Sequence, residues 1–152
     1  MTQLKKEKDF CYKYPRMATT VDLLLFDNCA KQTSILLIKR KNDPFENHWA
    51  LPGGFIDMDE KVAAAARREL QEETGVKIDH IDFLGYYDDI DRDPRGRTVS
   101  FAFTAITDKS NHRVKAADDA SDAQWYAIKQ LPLLAFDHQM IIEQAISKLK
   151  LK

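Results

Sequence analysis

The spacing of apolar residues along the chain predicts a protein of mixed α and β structure. Short runs rich in β-branched and aromatic residues are typical of strands, and they cover residues 19–26, 34–40, 49–51, 55–57, 81–87, 98–107 and 122–128. The polar stretch 27–33 between the first two runs predicts a hairpin. Apolar residues at helical spacing predict a helix over residues 139–149.

A second helix is predicted over residues 60–74, between the short strands and the later ones. Ala63, Ala66 and Leu70 form one stripe on it, which suits packing against a sheet. Gly75 marks its end, because the left-handed conformation after a helix is most often taken by glycine. Strands on both sides of one central helix, followed by a closing helix, predict an α/β fold with a mixed sheet between helices.

Length and composition favour one globular domain. The chain has 152 residues, of which 44% are hydrophobic and 31% are charged, so it can bury a substantial core. We expect a basic N-terminal segment, residues 1–16, before a single domain over residues 17–152. The two cysteines, Cys11 and Cys29, form no C-x-x-C motif, so neither a disulfide framework nor a zinc site is indicated.

Charge and hydropathy argue against several classes of binding partner. The net charge of −1 gives no global attraction to nucleic acid or to an anionic membrane. The first 17 residues contain five basic side chains but no apolar core of a signal peptide, and no window approaches the length of a membrane span. We therefore expect a cytoplasmic protein that binds neither nucleic acid nor membrane.

The main chemical signal is a group of three glutamates on the last turns of the predicted central helix. At about 100° per residue, Glu69, Glu72 and Glu73 span roughly a 100° sector. Acidic side chains are unfavourable at a helix C-terminus, and Glu69 and Glu73 also repel one another at i,i+4. A compensating cation is therefore expected, and Mg²⁺ or Mn²⁺ is the natural one because hard ions prefer carboxylate oxygen.

These glutamates belong to a longer pattern that resembles the signature of the Nudix hydrolases. The preceding turn, 51–54, contains paired glycines that let the backbone approach an ion or phosphate closely. The family pattern is met at each of its fixed positions, which here are Gly54, Glu60, Arg68, Glu69, Leu70, Glu72, Glu73, Gly75 and Val76. The alternative is an ordinary acidic surface helix with an Arg68–Glu72 ion pair.

The resemblance implies an α/β/α sandwich and a metal-dependent hydrolase that cleaves the pyrophosphate bond of a nucleoside diphosphate linked to another moiety. By the same resemblance, Glu69 and Glu73 are the principal ligands of Mg²⁺ or Mn²⁺. The carbonyl of Gly53 is a further ligand, and Glu72 is either a ligand or the general base. Glu73 and Glu72 thus form the predicted catalytic set together with Arg68, which holds the carboxylates in place.

The general base is left open by the sequence. In the family it often lies outside the signature, and Asp118, Asp119 and Asp122 are the candidates just before the strand that contains Trp125. The alternative is that Asp118 and Asp119 form only a polar turn. Glu72 is our preferred base by a narrow margin.

Substrate selection is expected from residues outside the signature. The loop 91–97 contains three arginines, which suit phosphate or carboxylate groups, although its alternating acids could also make it a self-paired surface loop. Together with segments 14–16, 39–41, 49–52 and 134–138, it resembles the ADP-ribose pyrophosphatase branch and the Nudix domains of regulators of NAD metabolism. The predicted substrate-binding residues are Asp93, Arg95, Arg97, Phe136 and His138.

Three functions therefore compete. The first is hydrolysis of ADP-ribose to AMP and ribose 5-phosphate. The second is a house-cleaning pyrophosphohydrolase for (oxidised) nucleoside triphosphates, and the third is a non-catalytic domain that senses a nucleotide sugar. Regulators that resemble this chain carry a DNA-binding domain after the Nudix domain, whereas the residues after Trp125 suffice for one helix. Residues 3–16 could order across a partner subunit, so we also expect a homodimer.

Overall fold

The computed structural model describes residues 11–29, 31–117 and 119–152, and these residues form one mixed sheet between two helices. The first part of the expected N-terminal segment, residues 1–10, lies outside the described residues. The strands are β1 (Ala18–Asp27), β2 (Ser34–Arg40), β3 (Trp49–Ala50), β4 (Gly53–Phe55), β5 (Asp82–Tyr87), β6 (Thr98–Thr107) and β7 (Ala120–Ala127). The helices are α1 (Val62–Thr74) and α2 (His138–Leu149), with a short 3₁₀ helix at Lys109–Asn111.

Strand β1 is the centre of the sheet. It pairs in parallel with β6 along its whole length, from Ala18 opposite Thr98 to Asp27 opposite Thr107. Its other edge is shared by two antiparallel strands, because β4 pairs with Thr20–Asp22 and β2 pairs with Phe26 and Asp27. The sheet therefore opens where β2 diverges from β1, and the glycine turn occupies that opening.

The two helices lie on opposite faces of the sheet because side chains alternate along a strand. Val21, Leu23 and Leu25 of β1 pack in one cluster with Ala65, Ala66 and Leu70 of α1. Leu24 and Phe26 pack in another cluster with Ile141, Ile142 and Ala145 of α2. This arrangement confirms the predicted sandwich with a mixed sheet. No helix in the described residues combines the length and the apolar character that crossing a bilayer requires.

The end of α1 is as predicted, whereas its beginning is not. Gly75 adopts a left-handed conformation, with φ of 74°, and its N–H donates to the carbonyl of Gln71. The helix begins at Val62 rather than at Glu60. Glu60 instead accepts a hydrogen bond from the N–H of Asp57 and pairs with Arg68. The predicted first turn of α1, from Glu60, is therefore not helical, and the Glu60 side chain makes these contacts instead.

The largest boundary difference concerns the short strand after the glycine turn. It was expected at residues 55–57 but lies at Gly53–Phe55. Glycine has low strand propensity, so its pairing with β1 is imposed by the tertiary fold: Gly54 lies opposite Val21 and Gly53 opposite Asp22. The hairpin of β1 and β2 is present, although its register pairs are confined to Phe26–Ile35 and Asp27–Ser34.

Candidate active site

A cleft of about 450 Å³ lies where β1, the glycine turn, α1 and the loop before β6 meet. The start of α2 closes it from the other side of the sheet. Its floor includes backbone and side chains of β1, and its rim carries charged groups of both signs. Of the predicted site residues, those that line the cleft are Gly53, Glu69, Glu73, Asp93, Arg95, Phe136 and His138.

The glycine turn brings the backbone directly against two glutamates. The N–H of Gly53 donates to Oε2 of Glu73 at 2.9 Å. A Cβ on Gly54 would lie 2.5 Å from Oε1 of Glu69, so a side chain there would displace the carboxylate. A Cβ on Gly53 would collide with the carbonyl oxygen of Val21. Both glycines therefore allow a close approach, here to the Glu69 carboxylate and to the backbone of β1, while the predicted approach to an ion or phosphate stays a prediction.

Glu69 and Glu73 are held in surroundings that disfavour their negative charge. Glu73 is 6% exposed, and burial raises its pKa to about 8 despite the hydrogen bond from Gly53. Burial also raises the pKa of Glu69, against the opposing effect of Arg68. A carboxylate that is buried without a cation of its own is energetically costly.

Arg68 organises the outer face of the helix. Its guanidinium contacts the carboxylates of Glu60, Glu69 and Glu72 at 2.6, 2.8 and 2.9 Å, and it donates to the carbonyl of Phe55 at 3.1 Å. The predicted Arg68–Glu72 pair is thus present. Glu72 is turned toward this guanidinium and lies outside the lining of the cleft. The three glutamates therefore divide: two face the cleft, and one faces Arg68.

The groups on this wall of the cleft fit a hard divalent cation. Glu69 and Glu73 provide carboxylate oxygens, and the adjacent turn places the backbone of Gly53 beside them. The set contains oxygen donors and no thiol or imidazole, which suits Mg²⁺ or Mn²⁺. Bound there, a cation would supply the positive charge that the buried Glu73 lacks.

The acids proposed as bases outside the signature are placed differently from one another. Asp119 lines the cleft. Asp122 lies outside the lining and accepts hydrogen bonds from the N–H of Ala123 and the side chain of Gln124. Asp118 lies outside the described residues. Of the two acids that the structure describes, Asp119 is thus the one that lines the cleft.

The three arginines of the loop before β6 have three different surroundings. Arg92 is 9% exposed and forms a two-point pair with Asp137, at 2.7 and 2.8 Å. Arg95 lies on the cleft, held by Asp93 through Nε and Nη2 at 3.0 and 2.7 Å. Arg97 donates to the carbonyl of Asp88 at 2.6 Å and lies outside the cleft lining.

Arg95 is placed among aromatic rings at the mouth of the cleft. Its guanidinium carbon lies 5.0 Å from the ring centre of Phe55 and 5.6 Å from that of Phe136. The guanidinium carbon of Arg40 also lies 5.0 Å from the Phe136 ring. Burial and the charge of Arg95 lower the pKa of Arg40. Two guanidiniums therefore flank one phenyl ring, which is a favourable surrounding for an anion.

The floor of the cleft contains a buried polar network around His138. The N–H of Leu51 donates to Nδ1 of His138 at 3.0 Å, so the ring proton is on Nε2, 3.3 Å from Oδ1 of Asp22. Ser100 donates to the other oxygen of Asp22. Burial alone would raise the pKa of Asp22, but His138, Ser100 and Arg92 together hold it below its ordinary value.

Several lining residues were not predicted from the sequence. Asp22 had a visible signal, since it is a charged residue within an apolar strand, and buried charges usually have a specific partner. Arg40 lies within the segment 39–41 and Phe55 within the strand predicted at 55–57, but nothing local indicated that either side chain lines the cleft. Arg92 and its partner Asp137 are 45 residues apart, and no local pattern joins them.

A second group of potential ligands lies at the far end of β1. Within the described part of the chain, Asp27, Cys29 and Asp108 are the three acidic, thiol or imidazole side chains whose ligand atoms lie within 4.8 Å of one another. Nζ of Lys109 is 3.4 Å from Oδ2 of Asp27 and balances that buried charge. This group is therefore a local ion pair, separate from the cleft.

Comparison with known proteins gives relatives whose names concern ADP-ribose. An ADP-ribose pyrophosphatase from Methanocaldococcus jannaschii is 48% identical over 113 residues, which are 74% of this chain and 66% of the relative. An ADPR responsive transcriptional repressor NtrR from Acinetobacter baylyi is 35% identical over 143 residues, which are 91% of this chain and 57% of the relative. The chain thus spans less than two thirds of the length of either curated relative.

Solved structures agree with this comparison at the level of the fold. The NUDIX domain of Shewanella oneidensis NrtR, complexed with ADP ribose, superposes with a TM-score of 0.84 at 34% identity. That match covers 98% of this chain and 99% of the other. A model of the NUDIX domain also matches residues 17–146, which include the glycine turn, the glutamate helix and the Arg95 loop. The chain belongs to the NUDIX domain family.

Proposed function

We propose that the protein hydrolyses the pyrophosphate bond of ADP-ribose, with Mg²⁺ or Mn²⁺, to give AMP and ribose 5-phosphate. The observation that carries this proposal is the two-sided cleft. Buried carboxylates stand on one wall, and Arg95 stands between Phe55 and Phe136 on the other. The 48% identity to an ADP-ribose pyrophosphatase and the likeness to a domain complexed with ADP ribose support the same substrate.

In this proposal Glu69 and Glu73, with the Gly53 carbonyl, hold the metal. A divalent ion supplies charge neutralisation at the diphosphate and lowers the pKa of a bound water. Arg68 fixes Glu69 by a contact of 2.8 Å, so that carboxylate loses little freedom when a cation binds. Arg95 and Arg40 orient the substrate's phosphates, since guanidinium groups match phosphate geometry. Asp93 keeps Arg95 in place.

The base is assigned to Asp119 in this proposal, rather than to Glu72. Asp119 lines the cleft and is close enough to Glu73 to help raise the pKa of that carboxyl, whereas Glu72 gives its carboxylate to Arg68 at 2.9 Å and lies outside the lining. A general base must reach the water whose proton it takes. Glu72 is the alternative, because its exposed carboxylate shares Nη1 of Arg68 with Glu69 and so lies beside a proposed metal ligand.

A substrate panel with mass identification of products tests the proposal. We expect kcat/KM for ADP-ribose with Mg²⁺ to exceed that for any canonical or oxidised nucleoside triphosphate by at least roughly tenfold, or ~1.4 kcal/mol. The reason is that Arg95 is already paired with the carboxylate of Asp93 at 2.7 Å, so this wall of the cleft offers less unbalanced positive charge than a triphosphate would need. A triphosphate that is preferred and releases pyrophosphate would establish the house-cleaning activity instead.

A second candidate is binding of ADP-ribose without turnover. The 35% identity to an ADPR responsive repressor favours it, whereas the intact glutamate set favours catalysis. Isothermal titration with ADP-ribose in the presence of Ca²⁺, followed by product analysis after replacement with Mg²⁺, separates the two. Tight binding without AMP release over hours would support the sensing function and contradict hydrolysis.

The same proposal includes a cytoplasmic homodimer. Tyr14 and Met17 lie near the start of the domain and expose 70% and 58% of their surface. Apolar side chains at that level of exposure suit burial against a second subunit. Light scattering coupled to size exclusion measures the mass, and a monomer at micromolar concentration would contradict this part of the proposal.

A further inference from the structure

We propose that His138 is a positioning residue, which holds the glycine turn in the geometry that the metal site requires. This inference rests on the proposed function, because it concerns the site where that function places the metal. It begins from the position of His138, which is the first residue of α2 and is 4% exposed. Its ring lies under the cleft, and both of its nitrogens have partners in the protein.

Nδ1 of the His138 ring makes the contact with the glycine turn. Nδ1 accepts from the N–H of Leu51 at 3.0 Å, and this bond is buried. Two residues later, the N–H of Gly53 donates to Glu73 at 2.9 Å. The carbonyl of Pro52, between them, accepts from the N–H of Leu23 at 2.8 Å. Three successive residues of the turn are therefore each fixed by one hydrogen bond to a different element.

The contact with Asp22 fixes the ring itself. With Nδ1 accepting, Nε2 carries the proton and lies 3.3 Å from Oδ1 of Asp22. The other oxygen of Asp22 accepts from Ser100. A second-shell partner of this kind sets the tautomer and orientation of an imidazole. Asp22 therefore orients the ring, and the oriented ring fixes the turn.

The residue before His138 connects this arrangement to the substrate loop. Asp137 lies at the N-terminus of α2, but its carboxylate makes no capping hydrogen bond to the helix. It is instead held by Arg92 through two contacts of 2.7 and 2.8 Å. The start of α2 is thus anchored to the loop that carries Arg95, and the same point anchors the turn that faces Glu73. The adjacent residues Asp137 and His138 therefore connect the two walls of the cleft.

Two near-isosteric variants separate the two functions of the ring. The amide oxygen of asparagine reaches the position of Nδ1, so His138→Asn can still accept from Leu51 but cannot reach Asp22. The amide of glutamine reaches the position of Nε2, so His138→Gln can still donate to Asp22 but leaves Leu51 without an acceptor. Gln139→Ala is the matched control, because Gln139 is exposed and its side chain donates to Glu143 on the surface of α2.

The experiment measures Mn²⁺ affinity of each full-length variant by electron paramagnetic resonance, and the exchange rate of the Leu51 amide by NMR without metal. We expect His138→Gln to weaken Mn²⁺ binding roughly tenfold and to accelerate exchange at Leu51. We expect Gln139→Ala to stay within about twofold of the parent protein for both quantities, and His138→Asn, which keeps the acceptor for Leu51 but loses the contact that orients it, to lie between the parent protein and His138→Gln. With ADP-ribose, His138→Gln should lower kcat rather than raise KM.

Equal loss of Mn²⁺ affinity in the asparagine and glutamine variants would overturn the inference, because a purely structural histidine tolerates neither replacement. Unchanged Mn²⁺ affinity in His138→Gln, with accelerated exchange at Leu51, would overturn it as well. Failure of the parent protein to hydrolyse ADP-ribose would instead contradict the proposed function. The Mn²⁺ and exchange measurements need no turnover, so the two failures are distinguishable.

Discussion

The glutamate helix and the arginine loop form opposite walls of one cleft, but they are built in different ways. In the helix wall, the contacts lie within one contiguous stretch, residues 53–73: Arg68 binds Glu69 and Glu72, and Gly54 makes room for Glu69. In the loop wall, each arginine depends on a different partner. Arg92 uses Asp137, 45 residues away, while Arg95 uses Asp93.

This difference shows which part of such a site can be predicted from a sequence pattern. A helix fixes the relative directions of its side chains, so spacing alone predicts which ones share a face. A loop fixes no such directions, and the role of each side chain is set by the elements packed around it. The proposed metal ligands accordingly lie on the helix, and the proposed substrate-binding residues lie on the loop.

The largest effect is expected from a substitution at Glu73, on the helix wall. We expect Glu73→Gln to lower kcat by about 10³-fold or more, because the replacement keeps the shape of a metal ligand but removes its charge. Circular dichroism should show an unchanged fold. Near wild-type turnover by the folded variant would remove Glu73 from the metal site.

The assignment of the base gives the next largest effect. We expect Asp119→Asn to lower kcat by roughly 10²-fold, in the range of general-base loss, while Glu72→Gln lowers it by less than about tenfold. Steady-state rates with ADP-ribose measure both. If Glu72→Gln lowered kcat more than Asp119→Asn, the base would be Glu72 on α1, and the helix wall alone would supply both the metal ligands and the base. An equally small effect of both substitutions would direct attention to Asp118.

A smaller effect is expected on the loop wall. Arg95→Ala should raise KM for ADP-ribose roughly tenfold while leaving the Mn²⁺ dissociation constant unchanged, because it loses a phosphate contact and no metal contact. Arg95→Lys should recover only part, since an ammonium cannot form a two-point fork. Arg97→Ala, in the same loop but outside the cleft lining, should change KM by less than about twofold. Equal KM values for the two alanine variants would show that position in the cleft does not decide binding.

The smallest effect concerns stability without metal. The pKa of Glu73 is raised to about 8 in the folded chain, so the native state binds more protons than the unfolded state above the ordinary pKa. Its stability therefore falls as pH rises from about 5 to about 8. In EDTA at pH 8, Glu73→Gln should melt about 3–6 °C higher than the parent protein, corresponding to ~1–2 kcal/mol. A difference that does not shrink at pH 5 would contradict the burial of this charge.

Much of the fold was predictable because it depends on local periodicity. The strands around β1, the stripe of Ala66 and Leu70, and the left-handed Gly75 all follow from spacing and from backbone preference. The position of β4 was not predictable, since pairing of Gly53 and Gly54 with β1 is a tertiary contact that overrides low strand propensity. Helix α1 begins two residues late because Glu60 is held by Arg68.

The candidate site also contains some residues that local spacing predicts and others that only tertiary contacts determine. The sequence brought Glu69 and Glu73 together and identified Gly53, because all three lie within one contiguous pattern. It could not distinguish Arg92, Arg95 and Arg97, because their burial is decided by Asp137 and by the rings of Phe55 and Phe136. The sequence also could not show that Glu72 faces Arg68 while Glu73 faces the cleft. These are consequences of packing between distant segments.

Phe136 has a consequence for how this protein could evolve or be engineered. Its backbone has φ of 52°, a left-handed conformation that costs an aromatic residue about 1 kcal/mol or more. Glycine or asparagine would relieve this cost. The ring offsets this cost, because its centre lies 4.8 Å from that of Phe45 and because it packs against the cluster of Ile38, Ala50, Ala120 and Ala135. Libraries randomised at position 136 should therefore retain an aromatic residue under selection for heat resistance as well as under selection for ADP-ribose turnover, where the ring stands between Arg40 and Arg95.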